Sequence, residues 1–126
     1  MVDITPLVPA GRQIIQGYGD RSFRIAGKDW QGSVIILPDQ TQSWAVAAMA
    51  DITTDSLSPV IRGGGGIQLL LLGCGTAIAN LDRAVRDDLR QNDIALELMD
   101  TGAACRTFNI LLAEERPVAA ALITMD

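Results

Sequence analysis

Ile67-Gln68-Leu69-Leu70-Leu71-Leu72, the spaced residues Leu81, Val85 and Leu89, and Ile94-Ala95-Leu96-Glu97-Leu98-Met99 follow one another along the chain. Their order decides the fold class. The first segment has one polar residue in six, the pattern of a strand covered on both faces. Leu81, Val85 and Leu89 lie four apart, with Ala84 beside them, which makes one apolar stripe on a helix between Asp82 and Gln91. Asp82, Arg83, Arg86, Asp87, Asp88 and Arg90 fall elsewhere around that helix. Ile94–Met99 is a second strand. Two apolar strands joined by an amphipathic helix predict that 67–72 and 94–99 run parallel as neighbours, with a right-handed crossover.

The same alternation continues downstream. Ala104, Phe108, Leu111, Leu112 and Glu115 mark a second helix starting near Thr101, and Pro117 leads into a last strand, Val118–Ile123. Upstream, Val34-Ile35-Ile36-Leu37 is a buried strand that stops at Pro38, and Ser43–Val46 is a further strand candidate. Ile14–Tyr18 and Phe23–Ile25 are short strands punctuated by Gly17, Gly19 and Gly27, which suggests small hairpins. Thr53–Ser58 opens a short helix, with Pro59 in its first turn, that ends before Gly63. The first 11 residues, with Pro6, Pro9 and Gly11, read as an extended lead-in. No internal linker divides the chain, so residues 1–126 are expected to form a single α/β domain. Helices cover both faces of its sheet, or the small N-terminal strands help to cover one.

Composition narrows the function. The chain has 126 residues, 48% of them hydrophobic and 20% charged, with a net charge of -5. Excess negative charge argues against binding nucleic acid. The absence of histidine removes Ser-His-Asp and Cys-His nucleophile systems and His-ligated zinc, and two cysteines cannot supply a four-thiolate metal site. No cofactor or metal is expected. The first 30 residues hold Asp3, Arg12, Asp20, Arg21, Arg24, Lys28 and Asp29 with no apolar core of a secretory signal. The uncharged run from Gly63 to Leu81 contains six glycines and is no membrane span. A reducing, cytoplasmic setting is expected.

Gly73-Cys74-Gly75 after a strand invites a dinucleotide-binding reading, but the third glycine of that fingerprint is replaced by Ile78 and the helix starts late. The Gly63–Gly66 run precedes a strand and lacks the Gly-Lys-Ser/Thr of a phosphate loop, so both read as glycine connections. Asp100-Thr101-Gly102-Ala103-Ala104-Cys105-Arg106-Thr107-Phe108-Asn109 is denser. It leaves the carboxyl end of a strand and enters a helix, where Asp100 or Thr101 can cap the first turn. Thr101, Cys105 and Asn109 recur every fourth residue and share a face. A helix N-terminus and Arg106 would both favour a Cys105 thiolate, whereas burial would act the other way. The segment therefore reads either as an anion or thiolate site or as a well-capped helix, with Cys105 packed as a small hydrophobe and Arg106 paired to Asp100 or Asp55. A Cys74–Cys105 redox pair lacks the Cys-X-X-Cys spacing. Trp30 and Trp44 are expected in the core or half-buried on a sheet. Asp87-Asp88 and Glu114-Glu115 are expected on solvated helix faces.

The run Met99–Glu114, closing on Arg116 and Val118–Ile123, resembles the signature of the small domain family that includes mitochondrial respiratory complex I assembly factor 3. Leu69–Gly75 resembles that family's Leu-Leu-Leu-Gly-Thr-Gly strand and turn, with Cys74 in place of Thr. Gly17-Tyr18-Gly19 with Phe23, and Val34–Pro38, also fit. The Gly63–Gly66 run stands where the family has a more ordinary helix end. The resemblance implies a three-layer α/β domain with a central mixed, partly parallel sheet and no established enzymatic activity. It implies protein partners, respiratory-complex or membrane-biogenesis subunits among them, and it suits a prokaryotic member. It favours a cleft bordered by Asp100, Thr101, Cys105, Arg106, Asn109, Gly73 and Gly75, with no residue assigned a catalytic role. A non-enzymatic interaction module is the favoured function. The alternative is a small-molecule or anion-binding enzyme built around Cys105 and Arg106. A homodimer is left open.

Overall fold

Two sheets organise the protein in the computed structural model, which describes residues 2–4, 11–63 and 65–125. The predicted lead-in through Pro6 and Pro9 lies outside the described residues. The smaller sheet is a meander of β1 (Val2–Asp3), β2 (Ile15–Gly19), β3 (Ser22–Ile25) and β4 (Lys28–Gln31), antiparallel throughout. The expected hairpins form. Asp20 and Arg21 connect β2 to β3, and Ala26 and Gly27 connect β3 to β4, all four at positive φ. Positive φ at both central positions matches the twist of the flanking strands. Trp30 is half-buried on β4 beneath the Lys28 ammonium, 4.5 Å from its ring centre.

The larger sheet comprises β5 (Val34–Leu37), β6 (Gln40–Ser43), β7 (Leu69–Gly73), β8 (Ala95–Met99) and β9 (Val118–Leu122), in the spatial order β6-β5-β9-β7-β8. β7 and β8 pair in parallel as expected, with Leu69 opposite Ala95 and Gly73 opposite Met99. β9 pairs in parallel with β7 on its other side and antiparallel with β5. The sheet is therefore mixed, and its last strand in sequence is its middle strand in space.

Alternation along these strands divides the core. Ile35, Leu70, Leu72, Ala119 and Ala121 point to one face and pack with Val85 and Leu89 of α2 (Arg83–Gln91), together with Trp44, Val46, Leu57 and Val60. The last of these lies in α1 (Ser58–Ile61), which follows a single 3-10 turn at Asp55–Leu57. Val34, Ile36, Leu71, Val118, Ala120 and Leu122 point to the other face, toward Ala104, Cys105, Phe108 and Leu112 of α3 (Thr101–Ala113). Ile15, Tyr18, Phe23 and Ile25 of the small sheet complete that cluster, so the N-terminal strands do help to cover one face. Three consecutive alanines at the centre of β9 leave room for the large side chains above and below them.

Three expectations need correction. The strand expected at Ser43–Val46 lies earlier, at Gln40–Ser43, where the two-residue turn Pro38-Asp39 sets Leu37 opposite Gln40. Trp44 and Val46 are buried beyond the strand end, and the Trp44 indole N–H donates to the Ser56 carbonyl at 2.9 Å. Glu115 does not continue α3. The helix stops at Ala113 and Glu115 takes a positive φ, two residues before Pro117, which disfavours helical geometry in the residue preceding it. Asp88 is not fully solvated: its side chain is 22% exposed and lies 3.7 Å from the Arg62 guanidinium.

Candidate functional site

β7 and β9 both end where α3 begins, and of the expected cleft residues Gly73, Gly75, Asp100 and Thr101 lie together there. Asp100 caps α3, its carboxylate accepting from the Ala103 N–H at 2.9 Å. Thr101 is turned inward. Its backbone N–H donates to the Gly75 carbonyl at 2.8 Å, and its hydroxyl accepts from the Gly75 N–H at 2.9 Å while donating to the Ile123 carbonyl. One fully buried side chain thus ties together the turn after β7, the start of α3 and the residue after β9.

Close approach explains Gly73. A Cβ there would lie 2.9 Å from the Thr101 hydroxyl oxygen and 3.0 Å from a Leu122 methyl, too near for any side chain. Gly102 is similar: a Cβ would sit 3.0 Å from the Tyr18 hydroxyl oxygen.

One and two turns further along the same face lie Cys105 and Asn109. Asn109 accepts from the Ile15 N–H at 2.9 Å and donates to the carbonyls of Ile15 at 2.8 Å and Ile4 at 3.1 Å. Its side chain thereby ties α3 to the first residue of β2 and to the residue after β1. Cys105 is fully buried between them, among Phe108, Leu122 and Tyr18. Burial pushes its thiol pKa up far beyond the ordinary value; the Arg106 charge opposes this and the Asp100 charge adds to it. Of the two effects weighed from sequence, desolvation is the larger, so the thiol is held neutral. Cys74 is also buried and also a free thiol, near the Leu72 and Ala79 carbonyls.

Arg106 points the other way. It is exposed, and its guanidinium donates to the Tyr18 hydroxyl at 2.6 Å instead of pairing with Asp100 or Asp55. The predicted residues therefore separate into an inner set, Gly73, Gly75, Thr101, Cys105 and Asn109, and an outer pair, Asp100 and Arg106. Tyr18 was not anticipated as a member. It stands 88 positions from Arg106 in sequence, and only the packing of β2 on α3 brings them together. Among the described residues no three or more Cys, Asp or Glu side chains converge as a metal ion would require, and no helix is long and apolar enough to cross a membrane.

Residues 15–123 match the family described as a protein of unknown function, DUF498/DUF598. The chain belongs to this family. It is 38% identical over 110 residues to the NADH dehydrogenase (ubiquinone) 1 alpha subcomplex assembly factor 3 of Danio rerio, a match covering 87% of this chain and 63% of that protein. The chain thus spans somewhat under two thirds of the length of that relative. An uncharacterised protein of Rhodobacter capsulatus is 35% identical over 116 residues, 92% of this chain and 88% of that one. A solved structure described as an outer membrane protein from Bartonella henselae superposes with a TM-score of 0.86 at 36% identity, covering 93% of this chain and 98% of the other. The family resemblance and the mixed α/β architecture read from sequence are both borne out, in a form that fits a prokaryotic family member.

Proposed function

We propose that the chain is a non-enzymatic protein-interaction module that holds respiratory-complex or membrane-biogenesis subunits during assembly, acting in the cytoplasm. The observation that carries this reading is the 38% identity, across 87% of the chain, to a protein named as an assembly factor. The binding face is the outer part of the predicted cleft, Asp100 and Arg106 with Tyr18. Gly73, Gly75, Thr101, Cys105 and Asn109 form the scaffold beneath. The bond from Arg106 to Tyr18 supports this, because a guanidinium already held in place loses less freedom when it engages a partner. Burial of Cys105 with its thiol neutral also fits a scaffold better than a nucleophile.

The test is affinity purification of the tagged full chain from its source cell, with wild type and Arg106→Glu compared. Recovery of respiratory or membrane-biogenesis subunits by wild type, lost in a variant of unchanged melting temperature, supports the reading. A co-purified small molecule with no protein partner replaces it with the enzyme or ligand-binding alternative.

A further inference from the structure

The larger sheet has two edge strands, β6 and β8, and among the described residues β8 has β7 on one side only. The Ala95 N–H donates to the Gln68 carbonyl and the Met99 carbonyl accepts from the Cys74 N–H, so Ala95, Glu97 and Met99 direct their backbone groups toward β7. Alternation then directs the N–H and C=O of Leu96 and Leu98 out of the sheet. Proteins usually blunt such an edge with lysine, proline or a covering element. β8 has neither lysine nor proline, and its one charge, Glu97, lies on the face away from α2, since Leu96 and Leu98 pack on the α2 side.

Beside this edge runs a groove of about 560 Å³ between β8 and α2, floored by Ile94, Leu96 and Leu98. Its rim carries Arg83, Arg86 and Arg90, spaced at i, i+3 and i+7 along α2. Asp87 lies 2.7 Å from Arg90 and 3.8 Å from Arg83, while among the described residues Arg86 has no carboxylate within ion-pair distance. Three arginines against one aspartate make this a cationic strip on a chain whose net charge is -5.

We propose that β8 is a docking edge that takes an extended, acidic segment of a partner protein as an added strand. The backbone of the segment pairs with Leu96 and Leu98, and its Asp or Glu side chains, at alternate positions, meet the arginine strip. Main-chain pairing supplies affinity in this mode, and the side-chain pockets supply choice of sequence. Alternation is required because the intervening side chains face Glu97. A second copy of this chain fits poorly: antiparallel pairing of two β8 strands would set the two arginine strips against each other on one face of the joined sheet, and like charges repel. The inference adds a second surface to the interaction reading and is tested without the cellular partner.

The probe is a synthetic peptide of four Glu-Val repeats, titrated into the ¹⁵N-labelled full chain, with four Lys-Val repeats as the comparison. The expected result is that the acidic peptide shifts the Leu96 and Leu98 amide signals and slows their hydrogen exchange. Binding weakens as salt is raised, and Arg86→Glu lowers the affinity by about tenfold or more. Arg86 is exposed, so the variant folds, and its unchanged remaining spectrum verifies this. Equal responses to the two peptides, or no response at Leu96 and Leu98, overturn the proposal. Protection of both amides by a dimer in the absence of peptide also overturns it. Failure to recover a partner from cells while the acidic peptide still binds sinks the assembly reading and leaves the docking edge standing.

Discussion

Replacing Asn109 with alanine tests whether α3 holds the small sheet in place through a single amide. The native side chain is 4% exposed and makes three hydrogen bonds, two to Ile15 and one to Ile4. Alanine removes all of its hydrogen-bonding atoms and takes from the Ile15 N–H and C=O the partners they have among the described residues, beside a fully buried side chain. An unsatisfied buried backbone group costs about 1–3 kcal/mol, so the Ile15 pair alone predicts a loss of about 2–6 kcal/mol. Partial entry of water at the more exposed Ile4 end limits the third contribution. Against a typical total stability of about 5–15 kcal/mol, this is a large fraction. The assay is urea denaturation of wild type and Asn109→Ala, with the exposed neighbour Ile110→Ala as a control expected within about 0.5 kcal/mol. Hydrogen exchange at the Ile15 amide supplies the local readout and should accelerate far more than exchange at Leu71, in the larger sheet. A loss below about 1 kcal/mol, or an Ile15 amide as protected as before, would refute the reasoning.

Three other outcomes are expected. Cys105 should react with a thiol-alkylating reagent only as fast as the protein unfolds, since it is buried and its pKa is raised. Its folded pKa lies above the unfolded 9.0, so the stabilisation it confers is fully present below about pH 9. Above that pH the unfolded thiol loses its proton first, and stability should fall by about 1.4 kcal/mol per pH unit more in wild type than in Cys105→Ala. Gly73→Ala should destabilise by about 1–3 kcal/mol in thermal melts, because the new methyl meets Thr101 and Leu122 near 3 Å. Asp100→Ala should cost about 1 kcal/mol through loss of the cap on α3, with Asp100→Ser recovering most of it.

Much of the fold was legible because its central strands are apolar runs and its longer helices carry clear stripes. The parallel pairing of β7 with β8 follows from the connection between them, which is too long for a hairpin and contains a helix. The place of β9 between β5 and β7 was not legible, since no local feature of five residues ending in leucine selects a neighbour. β6 was missed for a related reason: Gln40-Thr41-Gln42-Ser43 has no apolar alternation, and it is a strand because the Pro38-Asp39 turn delivers it to the edge of β5. Within the candidate site, the capping of α3 and the shared face of Thr101, Cys105 and Asn109 were readable from spacing alone. The bonds from Asn109 to Ile15 and from Arg106 to Tyr18 span 94 and 88 positions and depend on how the small sheet is laid on α3. The arginines of α2 show their spacing in the sequence. Their importance depends on β8 being an outer strand, which only the sheet order establishes.

The central position of β9 bears on how the chain is made. Ribosomes deliver residues in order, and every strand of the larger sheet except this one emerges earlier. Until residues 118–122 clear the exit tunnel, β5 and β7 lack the neighbour that separates them, and Ile35, Leu70 and Leu72 have no Ala119 or Ala121 to pack beside. Between the emergence of β7 and that of β9 the nascent chain therefore carries two unmatched strand edges and an open apolar face, a state prone to aggregation. Completion of the fold is a late event in which distant segments are joined at once, and this predicts slow refolding and a dependence on chaperones during translation.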